Sequence, residues 1–272
     1  MKKLSVLLIV GVMLLSLAAC AKQVENPVIR LSTTTSVNDS GLMAYLQPEF
    51  EKDTGYKLEI TSAGTGAAIE KGRTGDADVL LVHAKASEED FINEGYDEVR
   101  VPFMYNYFVI VGPEADPAGV KGSTTAAEAF QKIADAKATF VSRGDDSGTN
   151  KAELKIWNTL GIDPTGQPWY VSVGDSMGKT LTVGDEMGGY VFTDKATYLA
   201  HDNKLSLLLE ETEDMKNTYS LIAISPKRFA DTNYDGAQAF ITWMTSEKAS
   251  KMIESYGVEQ YGEQLFFVIP VK

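Results

Sequence analysis

Three short runs of serine, threonine and glycine carry the chemistry that can be read from this chain: Thr33-Thr34-Thr35-Ser36, Ser62-Ala63-Gly64-Thr65-Gly66 and Ser147-Gly148-Thr149-Asn150. Each follows an apolar, strand-like run and precedes residues at helical spacing. A loop of that kind turns unpaired backbone N–H groups, hydroxyl donors and the positive end of a helix dipole toward one point, the physical recipe for holding an oxyanion. Taken singly, each serine or threonine can also be read as a helix N-cap. Just before the third run stands Arg143, the only cation between Val141 and Asn150. Its guanidinium can offer a fixed fork of donors to a tetrahedral anion or pair with Asp145 or Asp146. Hydrogen bonds to a charged partner contribute roughly 1.5 to 3 kcal/mol each. About six of them bring micromolar to nanomolar binding within reach without a metal, even after the cost of immobilising the guest.

The elements that must position these loops alternate along the chain. Apolar runs predict strands at 28–31, 57–61, 79–82, 103–111, 139–142, 190–192 and 219–225. Between them, Leu42, Tyr45, Leu46 and Phe50 recur at helical spacing until Gly55, and Leu154, Trp157 and Leu160 mark a second helix face. Further helices are expected from Ala67, over 194–201, and as one long final helix over 236–256 with Phe240, Trp243, Met244 and Ile253 turned inward. This alternation predicts an α/β layered architecture, and ligands of open α/β sheets sit at the carboxyl ends of the strands.

Composition narrows the function further. The 272 residues carry 38 acids against 25 bases, a net charge of −13, which excludes a broad electrostatic footprint for nucleic acid. Two histidines and one cysteine leave no zinc or iron–sulfur ligand set and no disulfide, so no metal and no cofactor are expected. Lys2 and Lys3, the apolar run 4–17 and the small residues Ala18 and Ala19 follow the grammar of a secretory signal, and the run is too short for a comfortable membrane span. Leu17-Ala18-Ala19-Cys20 resembles a bacterial lipobox, which implies removal of 1–19, lipidation of Cys20 and a tether over 20–27. The expected product is an exported membrane lipoprotein facing the extracellular or periplasmic side.

Thr33-Thr34-Thr35-Ser36 with Gly41-Leu42 behind it, the DVLLVH run ending at His83, Met104-Tyr105-Asn106 leading into FVIVGP, and the SRGDDSGT run from Ser142 to Thr149 together resemble the tungstate-binding proteins of ABC transporters. The likeness extends from about residue 28 to 270. It implies a two-lobed type II periplasmic-binding-protein fold with a central cleft and two crossover segments, near 103–112 and near 219–225. Lobe I is then 28–108 plus 219–272, and lobe II is 109–218. The resemblance also implies a solute-binding protein, not an enzyme, that captures a tetrahedral oxyanion and delivers it to a membrane permease with its ATPase. Tungstate comes first among the ligands, with molybdate and phosphate as alternatives, and a monomer is expected. Thr34, Thr35 and Ser36 on one lobe, with Arg143, Ser147, Gly148 and Thr149 on the other, would grip the anion. Gly64 and Thr65 join them on the strength of the loop chemistry. The family usually has histidine where this chain has Asn150, and an acid where it has Tyr107.

The SGT loop also resembles that of phosphate-binding proteins, in which an arginine and a nearby aspartate contact the ligand. Phosphate near neutral pH keeps a proton and benefits from an acceptor, whereas tungstate and molybdate are fully deprotonated and a carboxylate in contact repels them. Asp145 aimed at the ligand therefore favours phosphate, and Asp145 turned back onto Arg143 favours tungstate. Gly174-Asp175-Ser176-Met177-Gly178 fits a nucleophile-elbow pattern with His201 downstream, so a secreted serine hydrolase using Ser176 is the remote alternative. The adjoining Gly178-Lys179-Thr180 lacks the earlier glycine of a P-loop, because Val173 stands there. His83 ends a buried strand and reads as a core or cleft-edge histidine rather than a metal ligand.

Overall fold

A computed structural model describes residues 25–97 and 99–270. The signal segment 1–19, Cys20 and the first part of the tether lie outside the described residues. The strands are β1 (Val28–Thr34), β2 (Lys57–Ala63), β3 (Val79–Val82), β4 (Val101–Gly112), β5 (Phe140–Ser142), β6 (Tyr170–Ser172), β7 (Tyr190–Asp194), β8 (Ser206–Leu209), β9 (Lys216–Ala223) and β10 (Phe267–Val268). They pair in the order β2-β1-β3-β9-β4-β7-β5-β6, and β8 and β10 also pair with β4.

Two parallel groups flank a shared antiparallel centre. β1 runs parallel to β2 and β3, and β5 runs parallel to β6 and β7. β4 joins the groups, pairing with β9 over residues 101–107 and with β7 over residues 108–111. The result is the two-lobed type II architecture. Strands buried on both faces must be apolar on both, and these are: Val79 and Leu81 enter one cluster while Leu80 and Val82 enter another. Phe108 and Ile110 likewise part from Val109 and Val111.

Each lobe's sheet is covered on both sides by helices. In the first lobe Phe50 of the helix Leu42–Thr54 packs edge-on against Phe240 of Tyr234–Met244, and Ile69 and Phe91 cover the opposite face. In the second, Phe130 and Trp157, from helices Ala126–Ala136 and Gly148–Thr159, meet as tilted rings within one cluster, and Met177 and Leu181 head the other. Each of these large side chains contributes about 1.5 to 3 kcal/mol by leaving water.

Two expectations need correction. The chain does not return between lobes at 219–225, because Leu209 of β8 still pairs with Ile110 while Lys216 of β9 already pairs with Tyr107, so the return lies between Leu209 and Lys216. The final helix is not continuous over 236–256. It breaks into Tyr234–Met244 and Glu247–Ser255, and Ser246 accepts a hydrogen bond from the Ala249 N–H at 3.2 Å as N-cap of the second. A serine after threonine offers the backbone this local alternative to an unbroken helix.

Candidate functional site

The parallel strands bring the loops of each lobe to one edge. β1, β2 and β3 end at Thr34, Ala63 and Val82, and they deliver Thr35, Gly64 and His83 side by side. β5 ends at Ser142 and delivers Arg143. The helices Thr35–Asp39 and Thr65–Thr74 begin with no side-chain cap, so neither occupies its leading N–H groups with its own cap residue. Ser147 does cap the helix Gly148–Thr159, accepting from the Asn150 N–H at 3.2 Å. That bond uses a lone pair of the hydroxyl and leaves its proton for another acceptor.

The three loops meet. Arg143 donates from Nη2 to Thr35 Oγ1 at 3.1 Å, joining loops of opposite lobes. Ser36 Oγ lies 3.2 Å from Thr34 Oγ1 and 3.1 Å from His83 Nε2. Gly148 sits so close to the first lobe that a Cβ there would stand 2.3 Å from the His83 ring and 2.9 Å from Thr65 Oγ1. Thr34, Ser36, Thr65, Arg143, Ser147, Gly148 and Thr149 are all buried, with Arg143 only 4% exposed. Gly64 is partly open at the rim, and a Cβ there would meet nothing.

Burial leaves some of these donors unused. Thr65 Oγ1, Thr149 Oγ1 and Arg143 Nε have no hydrogen-bond partner among the described residues. Buried polar groups are seldom left so, and the two hydroxyls, on converging loops beside the arginine, are donors held for an acceptor. Arg143 Nε does lie 2.8 Å from Asp145 Oδ2, an ion pair whose oxygen stands off the N–H direction. Asp145 is thus turned onto the arginine, and its Oδ1 accepts the Ser147 N–H at 3.1 Å.

A second layer, not foreseen in the sequence, holds the arginine loop. Glu153 accepts from Ser142 Oγ at 2.6 Å, Tyr170 OH at 2.8 Å and Trp157 Nε1 at 3.1 Å. Burial pushes its carboxyl above the usual range, and these donors oppose the push. Asn150 closes the loop from inside, accepting the Asp146 N–H and donating to Ser142 Oγ. On the other side, burial pushes His83 down to about 4, aided by the charge of Arg143, so the ring is neutral. Beside the site opens a cavity of about 680 Å³ lined by His83, Gly148 and Asn217, with Lys151, Lys155 and Lys216 on its walls.

The nucleophile-elbow reading fails on geometry. Ser176 caps the helix Met177–Met187 through the Lys179 N–H, and His201 Nε2 pairs with Thr182 Oγ1 at 3.1 Å instead.

A family profile described as a PBP superfamily domain matches residues 21–248. The tungstate-binding protein TupA of Peptoclostridium acidaminophilum is 43% identical over 97% of this chain and 96% of its own length. The chain belongs to the PBP superfamily and, within it, to the TupA family. Among solved structures, the tungstate-binding protein TupA of Desulfovibrio alaskensis G20 aligns with a TM-score of 0.80 at 42% identity, over 89% of this chain and 99% of that one. The structure described as the tungstate ABC transporter of Geobacter sulfurreducens aligns at 0.77 and 42% identity, over 84% of this chain and 98% of that one. Two of these relatives are named as tungstate-binding proteins and the third as an ABC transporter, and the TupA-family chain is a binding protein rather than an enzyme, in keeping with the failed hydrolase geometry. Among the described residues no helix is long and apolar enough to cross a membrane, and no cluster of metal-ligating side chains occurs.

Proposed function

We propose that this protein is an extracytoplasmic solute-binding protein that captures tungstate and delivers it to a membrane permease driven by an ATPase. The observation that carries the reading is the pair of unused buried hydroxyls, Thr65 Oγ1 and Thr149 Oγ1, beside an arginine whose loop joins the opposite lobe through the Arg143–Thr35 bond. Thr34, Thr35, Ser36, Gly64 and Thr65 bind from one lobe, and Arg143, Ser147, Gly148 and Thr149 from the other. The lobes are 28–108 with 216–272, and 109–209, joined by β4 and by the return over 210–215. Water excluded by closure strengthens each contact with a dianion. Asp145, turned onto Arg143, disfavours phosphate, because no carboxylate is left aimed at the guest to accept its proton. Lipidation of Cys20 anchors the exported monomer to the membrane.

A thermal-shift panel of tungstate, molybdate, phosphate and sulfate on the chain from Ala21 tests this. Tungstate at 100 times its dissociation constant adds about 2.7 kcal/mol to stability. Stabilisation by phosphate alone would replace tungstate as the ligand, and indifference to all four would end the oxyanion reading.

A further inference from the structure

His83 has no part in the loop chemistry that marks the site, yet it touches Ser36. Its Nδ1 lies 2.9 Å from Asn217 Oδ1, and its Nε2 lies 3.1 Å from Ser36 Oγ. The Asn217 amide nitrogen is already committed, donating to Asn106 Oδ1 and to Tyr219 OH at 2.9 Å each. The atom that faces the ring is therefore an oxygen, which can only accept, so Nδ1 carries the proton. In a neutral imidazole the other nitrogen is then an acceptor, and Ser36 must donate its single hydroxyl proton to it. While it does, Ser36 can offer an anion only lone pairs.

We propose that His83 is the positioning residue that sets where the Ser36 proton points: onto Nε2 in the free protein, and onto the oxyanion once Nε2 has become the protonated ring nitrogen. The inference rests on the oxyanion reading of Ser36. The exchange balances through water of the adjoining cavity that His83 lines: Nδ1 releases its proton to that water and Nε2 takes one from it, leaving the ring neutral. Nε2–H then donates to Ser36 Oγ. The Asn217 and Asn106 amides turn over, so that Asn217 donates to Nδ1 and accepts from Asn106 and from Tyr219 OH. Both ring nitrogens, Ser36 Oγ and the Asn217 amide keep partners in both arrangements. Asn106 and Asn217 stand opposite each other in register on β4 and β9, so the rearrangement that follows capture takes place between two strands at the junction of the lobes.

The chain has two histidines, His83 and His201, so nitrogen NMR of the labelled imidazoles resolves the exchange. Saturation with tungstate is expected to move the His83 Nε2 resonance from the unprotonated to the protonated range. An unprotonated Nε2 in protein that demonstrably binds tungstate would overturn the proposal and leave the ligand assignment standing. Failure of the protein to bind tungstate would overturn both. In calorimetry, His83→Leu loses roughly tenfold in tungstate affinity, the scale of one hydrogen bond to a charged group. His83→Gln, whose amide can donate to Ser36, recovers most of it. The His83→Leu loss disappears in a Ser36→Ala background; a loss of the same size there would mark His83 as merely structural and contradict the proposal.

Discussion

Arg143 and Thr35 lie 108 positions apart in sequence and on opposite lobes, yet Nη2 of the one donates to Oγ1 of the other at 3.1 Å. The bond closes a ring of loops in which Asp145 holds the guanidinium from behind at 2.8 Å. A planar fork fixed on one edge by a carboxylate presents its remaining donors in a defined direction, which an ammonium on a flexible stem cannot do.

Arg143→Lys is therefore expected to lower tungstate affinity by about 10- to 100-fold, the loss of one charge-assisted hydrogen bond, although the charge is retained. Titration calorimetry measures it. An unchanged dissociation constant would mean that charge alone, not the fork, matters at this position.

Gly148 is the tightest passage between the lobes. A methyl group there meets the His83 ring at 2.3 Å, so Gly148→Ala must push the third loop away from the first two. Overpacking of this kind costs about 1 to 3 kcal/mol. We expect the ligand-free melting temperature to fall modestly and tungstate affinity to fall at least tenfold. Small-angle scattering checks the cause, since the variant should stay open at tungstate concentrations that compact the parent.

How much of this was legible in the sequence follows from whether the signal is local. Strand, small-residue loop and helix succeed one another within about ten residues, so the meeting edge of Thr35, Gly64 and Arg143 could be read from pattern. β1 runs three residues further than its apolar stretch because Ser32 and Thr33 satisfy their hydroxyls on the Ala68 and Leu81 carbonyls, at 2.9 and 2.8 Å, and so extend the strand as buried polar residues. The layer beneath the site was not legible. Asn106 and Asn217 sit in strands 111 positions apart, and their link to His83 depends on a pairing that no local pattern announces. The Ser246 cap was missed because the apolar spacing continues across the break.

His83 also sets a pH signature for the ligand-free protein. Burial lowers the folded pKa to about 4 from an ordinary 6.5, so between those values the unfolded chain binds more protons than the folded one. Stability conferred by the neutral ring is full above pH 6.5 and is lost as the pH falls toward 4, by up to about 3 kcal/mol. Buried Glu153 and Asp194, whose carboxyls are pushed up, act in the opposite sense in parent and variant alike. The difference between the parent and His83→Gln in denaturant titrations should therefore shrink or reverse over that window. Parallel curves would refute the assignment.

The walls of the adjoining cavity give a kinetic expectation. On a chain of net charge −13, Lys151, Lys155 and Lys216 gather beside the site. Such a patch raises the local concentration of a dianion and speeds capture. Replacing Lys151 and Lys155 by glutamine should slow tungstate association by up to about tenfold and flatten its dependence on ionic strength, with dissociation little changed. Stopped-flow tryptophan fluorescence separates the two rates. The same pair of substitutions at the distant Lys52 and Lys251 provides the control.

The most direct test of the central claim is the tungsten anomalous signal from crystals grown with tungstate. The expected result is one strong peak enclosed by the hydroxyls of Thr34, Thr35 and Ser36 on one side and by Arg143, Ser147 and Thr149 on the other. A peak elsewhere in the molecule, or a tungstate held by one lobe with Arg143 still bonded to Thr35 and no contact to the metal's oxygens, would contradict it.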